Sequence, residues 1–301
     1  MEENKIISYK GFDENMQCRG FQYEVGKEYE MDGDIKCCER GFHACESPLE
    51  VWDHYDMLAS RFAKVEQSGK IDKEENSTKV CSSKIKISAE LKLADIIKLG
   101  VEWIKDVTSP SKVKATGELN DNDGDSAKIG SSGYSAKIGS SGDYAKIGSS
   151  GDYAQIGSSG DYAQIGSSGD YAKIGSSGYY AKIGSSGDSA QIGSSGDYAK
   201  IGSSGDHAQI GSSGDYAKIG SSGYHAKIDS TGEDSVIMCA GNSSIAKAKI
   251  GSWITLAEWK WSDEKIRDVP VCVKTEYVDG ENIKADTWYQ LKNGKFVEVN
   301  E

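Results

Sequence analysis

Cys37, Cys38, His43 and Cys45 form the densest group of metal-ligand residue types in this 301-residue chain, with Cys18 a further thiol upstream. Thiolates and imidazoles bind zinc, but a structural site needs four of them in a tetrahedron, usually from two paired knuckles. Adjacent cysteines and a His-x-Cys step match no such knuckle. The expectation is therefore no resident metal, with zinc on Cys37, Cys38, His43 and Cys45 as the weaker alternative. Nucleophilic catalysis would need a base beside an activated Ser or Cys. The chain has four histidines, and two of them, His207 and His225, fall inside a repeat. His43 and His54, with Arg61, are thus the candidates for a cleft in the amino-terminal part, set against a satisfied structural or surface role. Glycine loops of the phosphate-cradling kind are absent, because the glycines sit in repeat corners. No cofactor is expected.

The second set of candidates is a row of aromatics. Between Gly124 and Ile237 the chain repeats Gly-Asp-Tyr-Ala-Lys-Ile-Gly-Ser-Ser, with isoleucine at every ninth position from Ile129 to Ile237 and no slip of register. Tyr144, Tyr153, Tyr162, Tyr171, Tyr180, Tyr198 and Tyr216 share one place in that phrase. Stacked coils would align them into outward ladders able to bind sugars or bases by stacking, or simply to stabilise one rung on the next.

A short period that mixes strand and turn residues marks a solenoid. Alternation places Ala, Ile and the first Ser inward, and Lys or Gln with Gly outward. Ser-Gly-Asp should turn the chain, with glycine supplying positive φ. Nine residues enclose too little, so two units should make one coil, giving two parallel sheets and about 6.5 coils. Inward serine hydroxyls are expected to bond one another or backbone carbonyls. The phrase departs from the calcium-binding nonapeptide, in which Gly-Gly recurs and Gly and Asp are separated.

Around this block the reading is an α+β domain over residues 1–115, the β-solenoid over 116–237, and a β-rich cap over 238–301. Strands are expected at Ile6–Phe12, Gly20–Tyr29, Arg61–Ile71 and Lys79–Ile87. Ser47-Pro48-Leu49-Glu50 has the form of a capped helix start. Leu93, Ile96, Ile97, Gly100, Val101 and Ile104 lie at helical spacing, in a helix that ends before Pro110. Trp253–Trp261 reads as a strand, and Asp279-Gly280 and Asn293-Gly294 as hairpin turns.

The formal net charge is −12, but Gly124–Ile228 holds nine Asp and eight Lys, so the acidity sits in the flanks. That distribution argues against a nucleic-acid mimic and against direct nucleic-acid binding. Seven cysteines without framework spacing point to reduced thiols in a cytoplasm. No signal peptide or membrane span is legible.

Tyr9-Lys10-Gly11-Phe12, Cys18-Arg19-Gly20-Phe21-Gln22-Tyr23, Gly41-Phe42-His43-Ala44-Cys45, Lys84-Ile85-Lys86-Ile87, Leu256-Ala257-Glu258-Trp259 and Asp286-Thr287-Trp288-Tyr289 resemble an uncharacterised family of bacteriophage and prophage proteins. The likeness spans both flanks and the repeat between them, and it transfers no catalytic residue. It implies a protein of the bacterial host cytoplasm. The leading expectation is a non-enzymatic inhibitor of a bacterial defence system that binds a host protein or sequesters a signalling nucleotide. A structural virion protein and an ADP-ribosyltransferase-like enzyme with His43 in its pocket are the alternatives. Homo-oligomers are compatible with either.

Overall fold

The computed structural model describes residues 5–56, 58–74, 78–93, 95–97, 99, 100, 103 and 124–300. Two compact units, Met1–Trp103 and Ile104–Glu301, make up the chain.

The first unit contains β1 (Ile6–Phe12), β2 (Gln17–Cys18), β3 (Phe21–Gln22), β4 (Glu28–Glu30), β5 (Phe42–Cys45), β6 (Arg61–Lys73) and β7 (Lys79–Leu91). β1 runs antiparallel to β6 from Ile6 opposite Gln67 to Phe12 opposite Arg61. β6 and β7 form a long hairpin with register shifts at Lys64/Val65 and Ser68/Ile71. Such bulges bend a strand. The other edge of β7 takes β4 and β5, and β5 meets β1 at Tyr9 and Cys45. The strands therefore close a ring, β1–β6–β7–β5–β1, around a core that includes Phe12, Met16, Tyr23, Phe42, Val65, Ile85 and Ile87.

Local signals misread two elements of this unit. The capped helix start at Ser47 is only a 3-10 turn, Leu49–Asp53, without a side-chain cap. Glu50 turns instead to Thr78, accepting from its amide and its hydroxyl at 3.1 and 2.6 Å. Gly20–Tyr29 holds only β3, which pairs back onto β2, and the start of β4, because Tyr23–Lys27 forms a loop between them. Leu93, Ile96, Ile97 and Gly100 are helical as expected, with Ile96 and Ile97 buried. Val101, Ile104 and Pro110 lie outside the described residues. Helix is thus a minor part of an essentially β domain.

In the second unit each nine-residue unit supplies one four-residue strand, and successive strands alternate between two parallel sheets. One sheet starts at Lys128–Ser131 and Lys146–Ser149, the other at Lys137–Ser140 and Gln155–Ser158. From Lys128 to Ser221 each pairing joins residues 18 apart, with Ile on Ile, Gly on Gly and Ser on Ser, Ile147 on Ile165 and Ile165 on Ile183 for example. Ala, Ile and the first Ser point inward as expected, with Ile156, Ile174, Ile192 and Ile210 fully buried. The coil outlasts the repeat. Val236–Cys239 and Ile245–Ala248 complete about seven coils, and Trp253–Leu256 stacks once more in parallel.

Three physical details differ from the simple picture. Positive φ falls not on the corner glycine but on the tyrosine position, between 55° and 58° at all seven tyrosines. A side chain in that region costs about 1–2 kcal/mol, and long-range contacts hold it there. The Tyr144 amide donates to Asp161 O at 2.8 Å, and the Asp161 amide donates to Asp143 Oδ1 at 2.7 Å. The corner glycine is required for another reason: a Cβ on Gly187 would run into the Gly169 carbonyl one coil away. Finally, the inward hydroxyls of Ser149, Ser158, Ser167, Ser176, Ser185, Ser194, Ser203, Ser212 and Ser221 have no hydrogen-bond partner among the described residues. In-register stacking sets each hydroxyl about 4.8 Å from the next, beyond hydrogen-bonding reach.

Two antiparallel hairpins close the carboxy-terminal end, one per sheet. Trp253–Ser262 pairs with Arg267–Tyr277, and Tyr289–Lys292 with Lys295–Glu298. Asn293-Gly294 makes the second hairpin turn as expected. Asp279-Gly280 does not make a hairpin, because the strands on either side belong to different sheets. Its aspartate instead ties a crossover loop, accepting from the amides of Glu281, Asn282 and Ile283.

Candidate functional site

On β1 the alternation of a strand sends Ser8, Lys10 and Phe12 to one face, and all three are buried. Lys10 is only 4% exposed. Its Nζ donates to His43 O at 3.0 Å, Tyr55 OH at 3.4 Å and Cys18 Sγ at 3.4 Å, and the last two groups lie 3.0 Å from each other. The rings of Phe12, Tyr23 and Tyr55 surround it at 5.6–5.8 Å, a cation–π arrangement. No carboxylate forms an ion pair with Lys10 among the described residues. Burial pushes its pKa down, with Cys18 opposing that shift.

These groups lie along a cleft of about 1200 Å³. Tyr9, Lys10, Cys18, Phe21, Tyr23, Tyr29, His43 and Tyr55 line it, with Arg19, Lys79 and His54. Of its carboxylates, Asp13, Glu28, Glu30, Glu39 and Asp53 are exposed and Asp56 is half-buried. His43 is held neutral, its pKa lowered by burial and then by the charges of Lys10, Lys79 and Arg19. Its Nε2 accepts the Cys38 amide at 3.0 Å, so that lone pair is committed. Cys45 is buried and its thiol is pushed up to about 12, which keeps it protonated at neutral pH. Burial likewise raises the phenols of Tyr23 and Tyr55. The floor can therefore hold an anionic group, and its aromatic walls can hold a flat one.

Of the residues expected to share a cleft, His43 and His54 do so. Arg61 does not, because its guanidinium forks onto Glu90 at 2.7 and 2.8 Å. Cys37, Cys38, His43 and Cys45 are not brought together as a metal site. Among the described residues, no group of three or more His, Cys, Asp or Glu is placed to hold a metal ion. Lys10, Tyr23 and Tyr55 were missed as site residues, and Cys18, read only as a further thiol beside the metal-ligand types, lies against Lys10 instead. The available signal was a lysine on the apolar face of β1, between Ser8 and Phe12.

The tyrosines form two corner ladders. Tyr144, Tyr162, Tyr180, Tyr198 and Tyr216 stack without interruption, at centroid spacings of 4.9–5.1 Å and interplanar angles of 6–23°. On the other corner Tyr153 stacks on Tyr171, and His207 on His225. Each interior ring covers the faces of its neighbours, so edges and hydroxyls are what the ladders present to solvent. This geometry favours rung-to-rung stabilisation over base or sugar stacking.

The outward lanes of the two sheets also differ. On the first sheet Lys128, Lys146, Gln164, Lys182, Lys200 and Lys218 are exposed; on the second, Gln155 and Lys173 are buried.

Residues 6–99 match the family model described as "Domain of unknown function (DUF7666)". No curated protein and no solved structure matches the chain.

Proposed function

We propose that this chain is a non-enzymatic binding protein that acts against a bacterial defence system by sequestering an anionic signalling nucleotide in its amino-terminal cleft. The observation that carries this reading is Lys10, a buried ammonium without a carboxylate partner on the floor of an aromatic-walled cleft. An anion docking there would supply the missing countercharge, and the rings would receive a base. Small-ligand sites are mostly apolar concavities with a few placed polar groups, and this cleft has that composition. Arg19 and Lys79 add positive potential from the sides, as their depression of the His43 pKa records.

A binding role suits the side-chain chemistry better than catalysis. His43 has its Nε2 engaged and Cys45 is a protonated thiol, so neither is a ready base or nucleophile. Seven unpaired cysteines agree with a reducing cytoplasm, and among the described residues no helix is long and apolar enough to cross a membrane.

The test is calorimetric titration of the full chain with a panel of cyclic and linear mono- and dinucleotides. Saturable binding of one class, weakened at least tenfold (about 1.4 kcal/mol) by Lys10→Met with the fold intact by circular dichroism, supports the reading. Absence of binding across the panel, or equal affinity in the variant, rejects it.

A further inference from the structure

The repeat contains two sets of glycines, and they face opposite steric demands. Corner glycines such as Gly160, Gly178 and Gly187 are sterically demanded, because a Cβ would strike the carbonyl of the preceding coil. The outward strand glycines of the first sheet, Gly148, Gly166, Gly184, Gly202 and Gly220, have negative φ and open space where a Cβ would stand. Neither backbone strain nor packing demands glycine there, and glycine is a poor strand residue. In a strand interior glycine marks a bulge, a tight bend, or close approach by a ligand or another backbone, and these rungs pair in regular register without a bulge.

This glycine lane is the floor of a trough. One wall is the lysine lane, in which Lys182, Lys200 and Lys218 follow on consecutive rungs. The other wall is a row of exposed serines, Ser150, Ser168, Ser186, Ser204 and Ser222. From Lys128 to Lys218 the trough runs about 24 Å at the strand spacing. Among the described residues none of its five lysines has an ion pair or a side-chain hydrogen bond. Like charges aligned about 4.8 Å apart repel one another, and a line of anions over them relieves that repulsion.

We infer that this face binds a linear acidic polysaccharide, with carboxylates over the lysine lane, hydroxyls on the serine lane and sugar rings lying on the glycine floor. Charge complementarity selects a polyanion, and the hydroxyl wall selects one rich in hydroxyls. Single-stranded nucleic acid fits less well, since it is gripped through aromatic faces, and the faces of the adjacent tyrosine ladder are occupied. An acidic peptide would dock by adding to a free strand edge, whereas here the backbone amides and carbonyls are consumed by the coil ladders.

The test uses the full chain and polygalacturonate as probe, read by affinity electrophoresis and calorimetry at about 0.1 M salt, where screening leaves only short-range contacts. Its fully methyl-esterified form, poly-glutamate and oligo-dT serve as comparisons. The expected result is binding of polygalacturonate that is lost on esterification. It should weaken about tenfold or more in the triple variant Lys182→Gln, Lys200→Gln, Lys218→Gln, since each anion–cation contact contributes to affinity and salt dependence. The double variant Gly184→Val, Gly202→Val retains every charge and fills the floor; it should weaken binding comparably while circular dichroism shows the fold intact. Three outcomes would overturn the inference: no binding of polygalacturonate, tighter binding of oligo-dT or poly-glutamate, or full affinity in a folded Gly→Val variant, which would indicate mere ion exchange on lysines.

Discussion

Buried polar side chains are treated in opposite ways by the ring of strands and by the solenoid. In the ring, Gln67 is fully buried and fully engaged. Its Oε1 accepts Ser8 Oγ at 2.6 Å, and its Nε2 donates to Phe42 O, Val80 O and Ser82 Oγ at 2.8–3.2 Å. In the solenoid the inward serines are just as buried, and their hydroxyls meet no partner. The difference follows from symmetry. An irregular chain can set a donor and an acceptor 59 residues apart face to face. A repeat surrounds each side chain with copies of itself, at a spacing fixed by the backbone ladder. The ring therefore rests on specific long-range pairs, and the solenoid on many identical apolar and backbone contacts that outweigh its orphaned hydroxyls.

The largest effect expected is from the apolar column. Ile192→Ala should destabilise the solenoid by roughly 2–5 kcal/mol, measured by denaturant unfolding; a shift under about 1 kcal/mol would mean that the column is not what holds the coils together. Gln67→Met conserves volume but takes a partner from Ser8 Oγ, Phe42 O and Val80 O, so a loss of about 3 kcal/mol is expected in the ring. A neutral outcome there would erase the contrast between the two regions.

The glycine sets offer a finer comparison. Gly187→Ala should cost about 1–3 kcal/mol through forced overpacking, whereas Gly184→Ala should stay within about 0.5 kcal/mol. Melting of the two variants side by side reads the difference. Ser185→Ala removes an unpartnered buried hydroxyl and should be neutral or stabilise by up to about 1 kcal/mol. A clear loss of stability would show that the serine column is engaged in solution.

The smallest effect concerns the cap. Hydrogen bonds from Asn282, Ile283 and Glu281 hold the Asp279 carboxyl at about 2, below its ordinary 3.8. A depressed carboxylate adds stability that is fully present above pH ~4 and lost as pH falls through about 2. Asp279→Asn should flatten that part of the acid-unfolding profile, and an unchanged profile would detach the loop from cap stability.

Legibility followed the same division. The two-sheet solenoid, its inward face and the alternation of tyrosines between corners were readable, because the strand register there joins residue i to i+18 and so appears as a period. The corner was read less well. Asp143 and Gly142 looked like ordinary turn chemistry, but their roles depend on the coil above or below them. In the amino-terminal unit Ser47 to Glu50 carried a helix signal that Thr78, just ahead of β7 and distant in sequence, overrode. The β1 strand was read to the residue, yet nothing in Ile6–Phe12 alone showed that Lys10 would be enclosed by Cys18, His43 and Tyr55.

The sequence by itself determined the rod: its period, its coil, and the set of side chains inside it. Only the tertiary structure decided the rest, namely which glycines are sterically required, which lysine lane is exposed, and that tyrosine faces are covered by one another. It alone assembled the cleft. The physical reason is that a repeat writes its contacts into its spacing, whereas a closed ring of strands joins segments whose separation along the chain has no period to read.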